Sequence, residues 1–275
     1  MMKKLIVFFG AIGDTILLAP AIQKLSKNGV IHVVGYPERM ALLKQAGWIE
    51  EIYDADTIDF TSIFSTPSNK LCDFLIQFDT VYFFFQDGES LVQKAKSIGV
   101  PSSYHFSGKP PNNWKKHAST YYLQCFGFPS IKDFVLPISP KKIHNEVIIH
   151  PGSGSKEKNY PIDFFIEITE QLLNKHFKVR WCLGPAEKKL TLSRKIPTLQ
   201  IEQLTQLAEY IAGASAYIGN DSGISHLAGA LGVKTIVLFC STDPKVWSPL
   251  GPRVFTFTQG NFCLEEILRI ICEGV

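Results

Sequence analysis

Apolar residues run without interruption from Leu5 to Phe9, the pattern of a strand covered on both faces rather than one that alternates against water. Gly10-Ala-Ile-Gly13 breaks the run. From Asp14 to Lys27 the apolar positions Ile16, Leu17, Ala21, Ile22 and Leu25 recur at helical spacing, and Gly29 stands where a C-terminal cap belongs. The pattern predicts strand, turn, helix. A strand over Val30 to Gly35, a helix opening on Pro37 and closing at Gly47, and an apolar strand from Val81 to Phe85 continue the alternation.

From Glu146 the rhythm restarts. Strands are predicted at Val147 to His150, Lys178 to Leu183, Ala216 to Gly219 and Lys234 to Phe239. Helices are predicted at Pro161 to Lys175, Ala186 to Lys195, Glu202 to Ala214 and Ser222 to Leu231. Strands alternating with helices imply parallel sheets with right-handed crossovers, so the fold class is α/β with two such sheets. The proline-rich stretch from Tyr104 to Lys142 is the least regular, and the boundary is placed between Pro137 and Asn145. The expected division is residues 1–140, residues 141–260, and a final helix over Asn261 to Glu273 packing across the domain junction.

Length agrees with two domains: the chain has 275 residues, and domains commonly run to about 100–200. Hydrophobic residues are 45% of the total and charged residues 19%, ample for a packed core and unlike a disordered chain. A formal net charge of +3 gives no electrostatic footprint for nucleic acid. The six cysteines are scattered, with no C-x-x-C pair, so no zinc site or disulfide framework is readable and a reducing compartment fits best. Met1-Met2-Lys3-Lys4 before an apolar run imitates an export signal, but Asp14 interrupts it, and a buried first strand plus helix is the better reading. No uncharged apolar stretch reaches the roughly 18 residues of a membrane span, so a soluble, cytoplasmic protein is expected.

Candidate chemistry belongs in the strand-to-helix turns, because ligands of open α/β sheets bind beyond the carboxyl ends of the strands. In Gly10-Ala-Ile-Gly13-Asp14 two glycines allow close backbone approach and a carboxylate opens the helix; the same Asp also reads as a helix cap. A full G-x-G-x-x-G fingerprint is absent. His150-Pro-Gly152-Ser153-Gly154-Ser155-Lys156-Glu-Lys158-Asn-Tyr160-Pro161 combines flexible residues, hydroxyls and lysines ahead of a helix, which suits a phosphate or diphosphate and also suits a solvated loop. In Gly219-Asn-Asp221-Ser222-Gly223-Ile-Ser-His226, Asp221 or Ser222 caps the next helix and Gly229 allows close packing, while His226 in the first turn is left without a capping role. Leu183-Gly-Pro-Ala-Glu187 offers a carboxylate that could take both ribose hydroxyls, and an exposed first-turn Glu is equally ordinary. Asp54-Ala-Asp56 has the D-x-D form some glycosyltransferases use for a metal and a diphosphate, yet the form is frequent in polar loops. The Trp114, Lys115 and Lys116 group is too small for a phosphate-rich surface.

Taken together, the turns resemble glycosyltransferase family 9, the lipopolysaccharide heptosyltransferases. Gly10-Ala-Ile-Gly13-Asp14-Thr15 with Leu18-Ala-Pro20-Ala21, the 150–161 loop, Leu183 to Glu187, and Gly219 to Leu231 continued by Val237 to Pro244 occur in the family's order. The resemblance implies a GT-B fold, two Rossmann-like domains facing across a cleft, with the acceptor bound by the first and the nucleotide sugar by the second. It implies metal-independent, inverting transfer of a heptose-type sugar from ADP-heptose to a lipopolysaccharide-core or related glycan hydroxyl, with no cofactor and contact with the inner membrane face. By that analogy Asp14 is the general base, Ser153 and Lys158 hold the diphosphate, Glu187 the ribose, and Asp221, Ser222 and Gly223 face the donor. Gly13, Thr15, Gly154 and His226 join the substrate contacts.

Where relatives often carry arginines after the strand at Val81 to Phe85, this sequence reads Gln86-Asp-Gly88-Glu-Ser90, and Arg39 is the only arginine before residue 180. A near-neutral first domain leaves the acceptor open. Two rival readings stand beside the transferase: a non-catalytic nucleotide-sugar-binding protein of the same fold, and an NAD-dependent oxidoreductase in which Glu38 mimics the ribose acid.

Overall fold

The computed structural model describes residues 1–184 and 196–273; Glu187 and the helix expected over 186–195 lie outside the described residues. The chain forms two compact units, Met1–Ser130 and Ile131–Val275.

In the first unit the elements are β1 (Lys3–Val7), α1 (Ile12–Ser26), β2 (Val30–Val34), α2 (Pro37–Gln45), β3 (Glu51–Tyr53), short 3₁₀ turns at Asp56–Ile58 and Phe60–Phe64, α3 (Asn69–Leu75), β4 (Thr80–Phe84), α4 (Glu89–Ile98), β5 (Ser102–Phe106) and α5 (Ala118–Cys125). The strands are parallel in the order β3-β2-β1-β4-β5. β1 therefore has a neighbour on each edge, with Val7 opposite Val34 on one side and Phe83 on the other. Because side chains alternate across a strand, Leu5 and Val7 enter one core layer with Phe60, Ile63, Leu71 and Leu91. Ile6 and Phe8 face the other way and are also fully buried, Phe8 meeting Tyr122 of α5 edge-on. That two-sided burial is what the uninterrupted apolar run foretold.

In the second unit β6 (Glu146–His150), α6 (Ile162–Asn174), β7 (Lys178–Cys182), β8 (Thr198–Leu199), α7 (Leu204–Ile211), β9 (Ala216–Asn220), α8 (Gly223–Ala230), β10 (Lys234–Phe239), α9 (Pro244–Trp247), β11 (Val254–Thr258) and α10 (Leu264–Cys272) follow in turn. The parallel order is β11-β10-β9-β6-β7-β8. α10 sets Ile267 and Ile271 into the core beside Phe165 and Leu172 of α6. Residues 131–145 join this unit through Leu136 N–H to Ala230 C=O at 2.7 Å and His144 N–H to Gly213 C=O at 3.0 Å, so the division at Ser130 falls inside the proline-rich stretch.

Several elements differ from the expected ones. The stretch from Tyr104, read as irregular, holds the end of β5 and all of α5, where His117 Nδ1 caps the helix by accepting from Ser119 N–H. Gly29 is not a cap: α1 ends at Ser26 with Lys27 in right-handed conformation, and a Cβ on Gly29 would lie 2.8 Å from the Met2 carbonyl oxygen. Gly47, with φ +75°, does close α2. Gly229 permits the close approach expected of it, since a Cβ there would stand 2.8 Å from Pro249 and 3.0 Å from the Leu250 carbonyl.

Near the amino end of the second sheet Glu146 accepts two hydrogen bonds from Arg180, at 2.9 and 2.8 Å, and one from Tyr210 Oη at 2.5 Å. These donors hold its carboxyl down to about 2. At this end of the strands the cluster acts as a clamp between β6, β7 and α7. No helix among the described residues is long and apolar enough to cross a membrane.

Candidate functional site

At the carboxyl ends of β6 and β9 the 150–161 loop is tied down by one side chain. Asn220, fully buried at the end of β9, donates from Nδ2 to the Pro151 carbonyl at 2.6 Å and accepts from Tyr160 N–H at 2.9 Å. Both ends of the loop are thereby fixed to the sheet. Inside it Ser153 Oγ donates to the Ser155 carbonyl at 2.6 Å and accepts from Ser155 N–H at 3.3 Å, a local turn that leaves Gly154 exposed.

Lys158 reaches back from this loop to Asp221, with Nζ 2.7 Å from Oδ2. The same oxygen accepts from Thr242 Oγ1 at 2.7 Å, and His226 Nε2 lies 3.8 Å from Oδ1. The Asp221 side chain is 4% exposed and that of Lys158 34%. A buried carboxylate thus orients a half-exposed ammonium that still has N–H donors to offer.

Ser222 is the N-cap of α8, its Oγ accepting from Ser225 N–H at 3.3 Å, so Gly223 begins the helix. Beneath it lies a buried hydroxyl network. His150 Nδ1 meets Tyr217 Oη at 3.2 Å and Ser222 Oγ at 3.3 Å, and Ser225 Oγ donates to the Asn220 carbonyl at 2.5 Å. Burial pushes His150 down to about 4, so its imidazole is neutral near pH 7. Gly219 lets β9 run against β6 here, since a Cβ would sit 2.7 Å from the His150 carbonyl oxygen.

In the first unit Asp14 is the third residue of α1, not its N-cap; Ala11 holds the cap position, and Asp14 Oδ2 accepts from Ala11 N–H at 3.1 Å. The residue is half-buried at the helix N-terminus. Gly13 is likewise half-buried. Thr15 is buried and donates to the Ala11 carbonyl at 3.1 Å, within its own helix. Arg39 Nη1 donates to the Gly10 carbonyl at 2.8 Å and stacks over Tyr36.

The structure brings together Lys158, Asp221, Ser222, Gly223 and His226 in one unit, and Gly13, Asp14 and Thr15 in the other. Asp54 is a turn former: its Oδ1 accepts from Asp56 N–H at 2.9 Å. Trp114 Nε1 donates to the His117 carbonyl at 3.3 Å, a support for α5. Asn220, Thr242, Ser225 and the role of His150 were missed from sequence. Each stands within a turn string already singled out, but pattern alone did not show which polar atoms face one another.

Two Rossmann-like parallel sheets with loop-and-helix polar groups at the strand carboxyl ends define the class of GT-B glycosyltransferase folds. Residues 115–268, more than half of the chain, match the family described as glycosyltransferase family 9 (heptosyltransferase), and the chain belongs to that family. Lipopolysaccharide heptosyltransferase 1 of Pseudomonas aeruginosa is 31% identical over 132 residues, 46% of this chain and 37% of that protein. Lipopolysaccharide heptosyltransferase 3 of Escherichia coli K12 is 28% identical over 126 residues, 42% of this chain and 37% of that protein. The matched segment thus spans little more than a third of these relatives. Across nearly the whole chain the fold is similar to E. coli ADP-heptose lipopolysaccharide heptosyltransferase II, with TM-score 0.77 and 17% identity over 98% of both chains. It is also similar to E. coli heptosyltransferase WaaC with ADP, with TM-score 0.72 and 16% identity over the full length of both.

Proposed function

We propose that this protein transfers a heptose-type sugar from ADP-heptose to a hydroxyl of a lipopolysaccharide-core or related glycan, with inversion and without a metal. The observation that carries the reading is the Lys158–Asp221–Thr242 cluster beside the capped N-terminus of α8. Asp221, held by its partners, acts as a positioning residue; Lys158 and the N–H groups of the 150–161 loop and of α8 are the donors for the diphosphate. This loop is the counterpart of a metal ion, since preset donors stabilise the charge that develops on the leaving group.

In the reaction the acceptor oxygen forms a bond to the anomeric carbon on the face opposite the diphosphate. The bond from that carbon to the diphosphate oxygen breaks, its electron pair leaving as ADP. Asp14 takes the acceptor proton. Relatives' names support donor and acceptor: one similar structure is described with ADP, and both curated relatives are lipopolysaccharide heptosyltransferases. The reading places the enzyme in the cytoplasm, at the inner face of the membrane.

The test is release of ADP from ADP-heptose in the presence of a truncated lipopolysaccharide-core acceptor. Asp14→Asn should lower kcat about 10²- to 10⁴-fold, the range a general base contributes. An Asp14→Asn enzyme with wild-type turnover overturns the mechanism.

A further inference from the structure

At the carboxyl ends of the first sheet, rings follow four of the strands. Phe9 follows β1, Tyr36 follows β2, Phe60 and Phe64 follow β3, and Phe85 follows β4. Phe9 packs on Tyr36 at 5.6 Å and on Phe85 at 6.0 Å; Phe64 packs edge-on against Phe85 at 5.7 Å and Phe60 at 6.1 Å. Phe60 is buried, whereas Phe64 is 56% exposed and Tyr36 47%.

The exposed ring of Phe64 is not loose. Lys94 Nζ donates to the Ile63 carbonyl at 2.7 Å and to the Ser65 carbonyl at 2.9 Å, fixing the backbone on either side of it. Arg39 joins the rings to the base: its guanidinium lies 4.1 Å from the Tyr36 ring centre and bonds Gly10, where an added Cβ would be 2.9 Å from Asp14 Cβ. Arg39 thus links the Tyr36 ring to the turn that carries Asp14.

We propose that these rings, with Arg39, form the acceptor subsite and select an uncharged sugar ring over a phosphorylated one. The inference rests on the reading of Asp14 as the base. A pyranose presents a face of C–H bonds that suits the negative face of an aromatic ring, while its rim hydroxyls need donors and acceptors such as Arg39 and Asp14 supply. The charges around the platform agree. Glu38, Asp54, Asp56, Asp59 and Asp87 lie in sequence within the segments that carry the rings, while the cations that touch these segments are Arg39, stacked on Tyr36, and Lys94, whose ammonium is taken up by the Ile63 and Ser65 carbonyls. The carboxylates disfavour a phosphate.

The test is saturation-transfer NMR on the full chain with a methyl heptose disaccharide and with the same disaccharide bearing one phosphate. We expect transfer from aromatic protons to the ring C–H groups of the neutral probe, with affinity lowered about tenfold by Phe64→Ala and the unfolding midpoint unchanged. Lys94→Met should weaken the neutral probe severalfold and Lys94→Arg should restore it. Tighter binding of the phosphorylated probe, or wild-type affinity in Phe64→Ala, overturns the inference. So does binding of the chain to phosphatidylglycerol vesicles that Phe64→Ala abolishes. Calorimetry with ADP on the same preparation separates the two readings: ADP binding without sugar binding defeats the platform alone, and sugar binding without ADP binding defeats the transferase reading alone.

Discussion

Lys158 and Asp221 show how a residue can matter without touching a ligand. Asp221 is buried and holds the ammonium at 2.7 Å, so its removal would free Lys158 to swing, whereas removal of Lys158 would delete a charged donor and strand a buried carboxylate. Lys158→Met should weaken ADP binding about thirtyfold, the equivalent of about 2 kcal/mol for hydrogen bonds to charged groups, and calorimetry reads it directly. His150 makes a separate prediction in pH. Its folded value near 4 lies below its ordinary 6.5, so the unfolded chain binds the proton first as pH falls. Stability from this residue is present above about pH 6.5 and is lost toward pH 4, at up to about 1.4 kcal/mol per pH unit. Urea unfolding between those limits should show the slope in the wild type, and His150→Gln should flatten it.

Elements are held by contacts at both ends of the strands. At the amino end of β6 Glu146 bonds Arg180 and Tyr210, and Glu146→Gln should cost about 2 kcal/mol in urea unfolding at pH 7. The carboxyl is held near 2 against an ordinary 4.5, so its contribution is present above about pH 4.5 and fades as pH falls toward 2. The difference between wild type and variant should shrink over that window. Elements with an unambiguous period were legible from sequence: β1 as a continuous apolar run, β10 over Lys234–Phe239, α6 through its apolar stripe. β3 and β8 were not, because Glu51–Tyr53 and Thr198–Leu199 are too short to show a period at all. α5 was hidden because its start is set by a His117 cap, and histidine is not an ordinary capping signal.

At the scale of the whole chain, the site could be traced in sequence as far as the turns that carry it. Asp14, Lys158 and Asp221 were singled out because a strand, a glycine and a polar residue in that order mark the carboxyl end of a parallel sheet. Asn220 and Thr242 could not be found that way, since their work is to bridge segments far apart in sequence, Asn220 to Pro151 and Tyr160, Thr242 to Asp221. Nor does a run of phenylalanines reveal which rings the core will take and which the surface keeps; Phe60 and Phe64, four residues apart, went opposite ways. The central claim is that the second unit binds an adenosine diphosphate sugar through protein donors alone. Titration calorimetry of the full chain with ADP, UDP, GDP and NAD, each with magnesium and with EDTA, tests it most directly. The account predicts selective ADP binding with the same Kd in both buffers. Binding of NAD alone, or ADP binding that vanishes with EDTA, would contradict it.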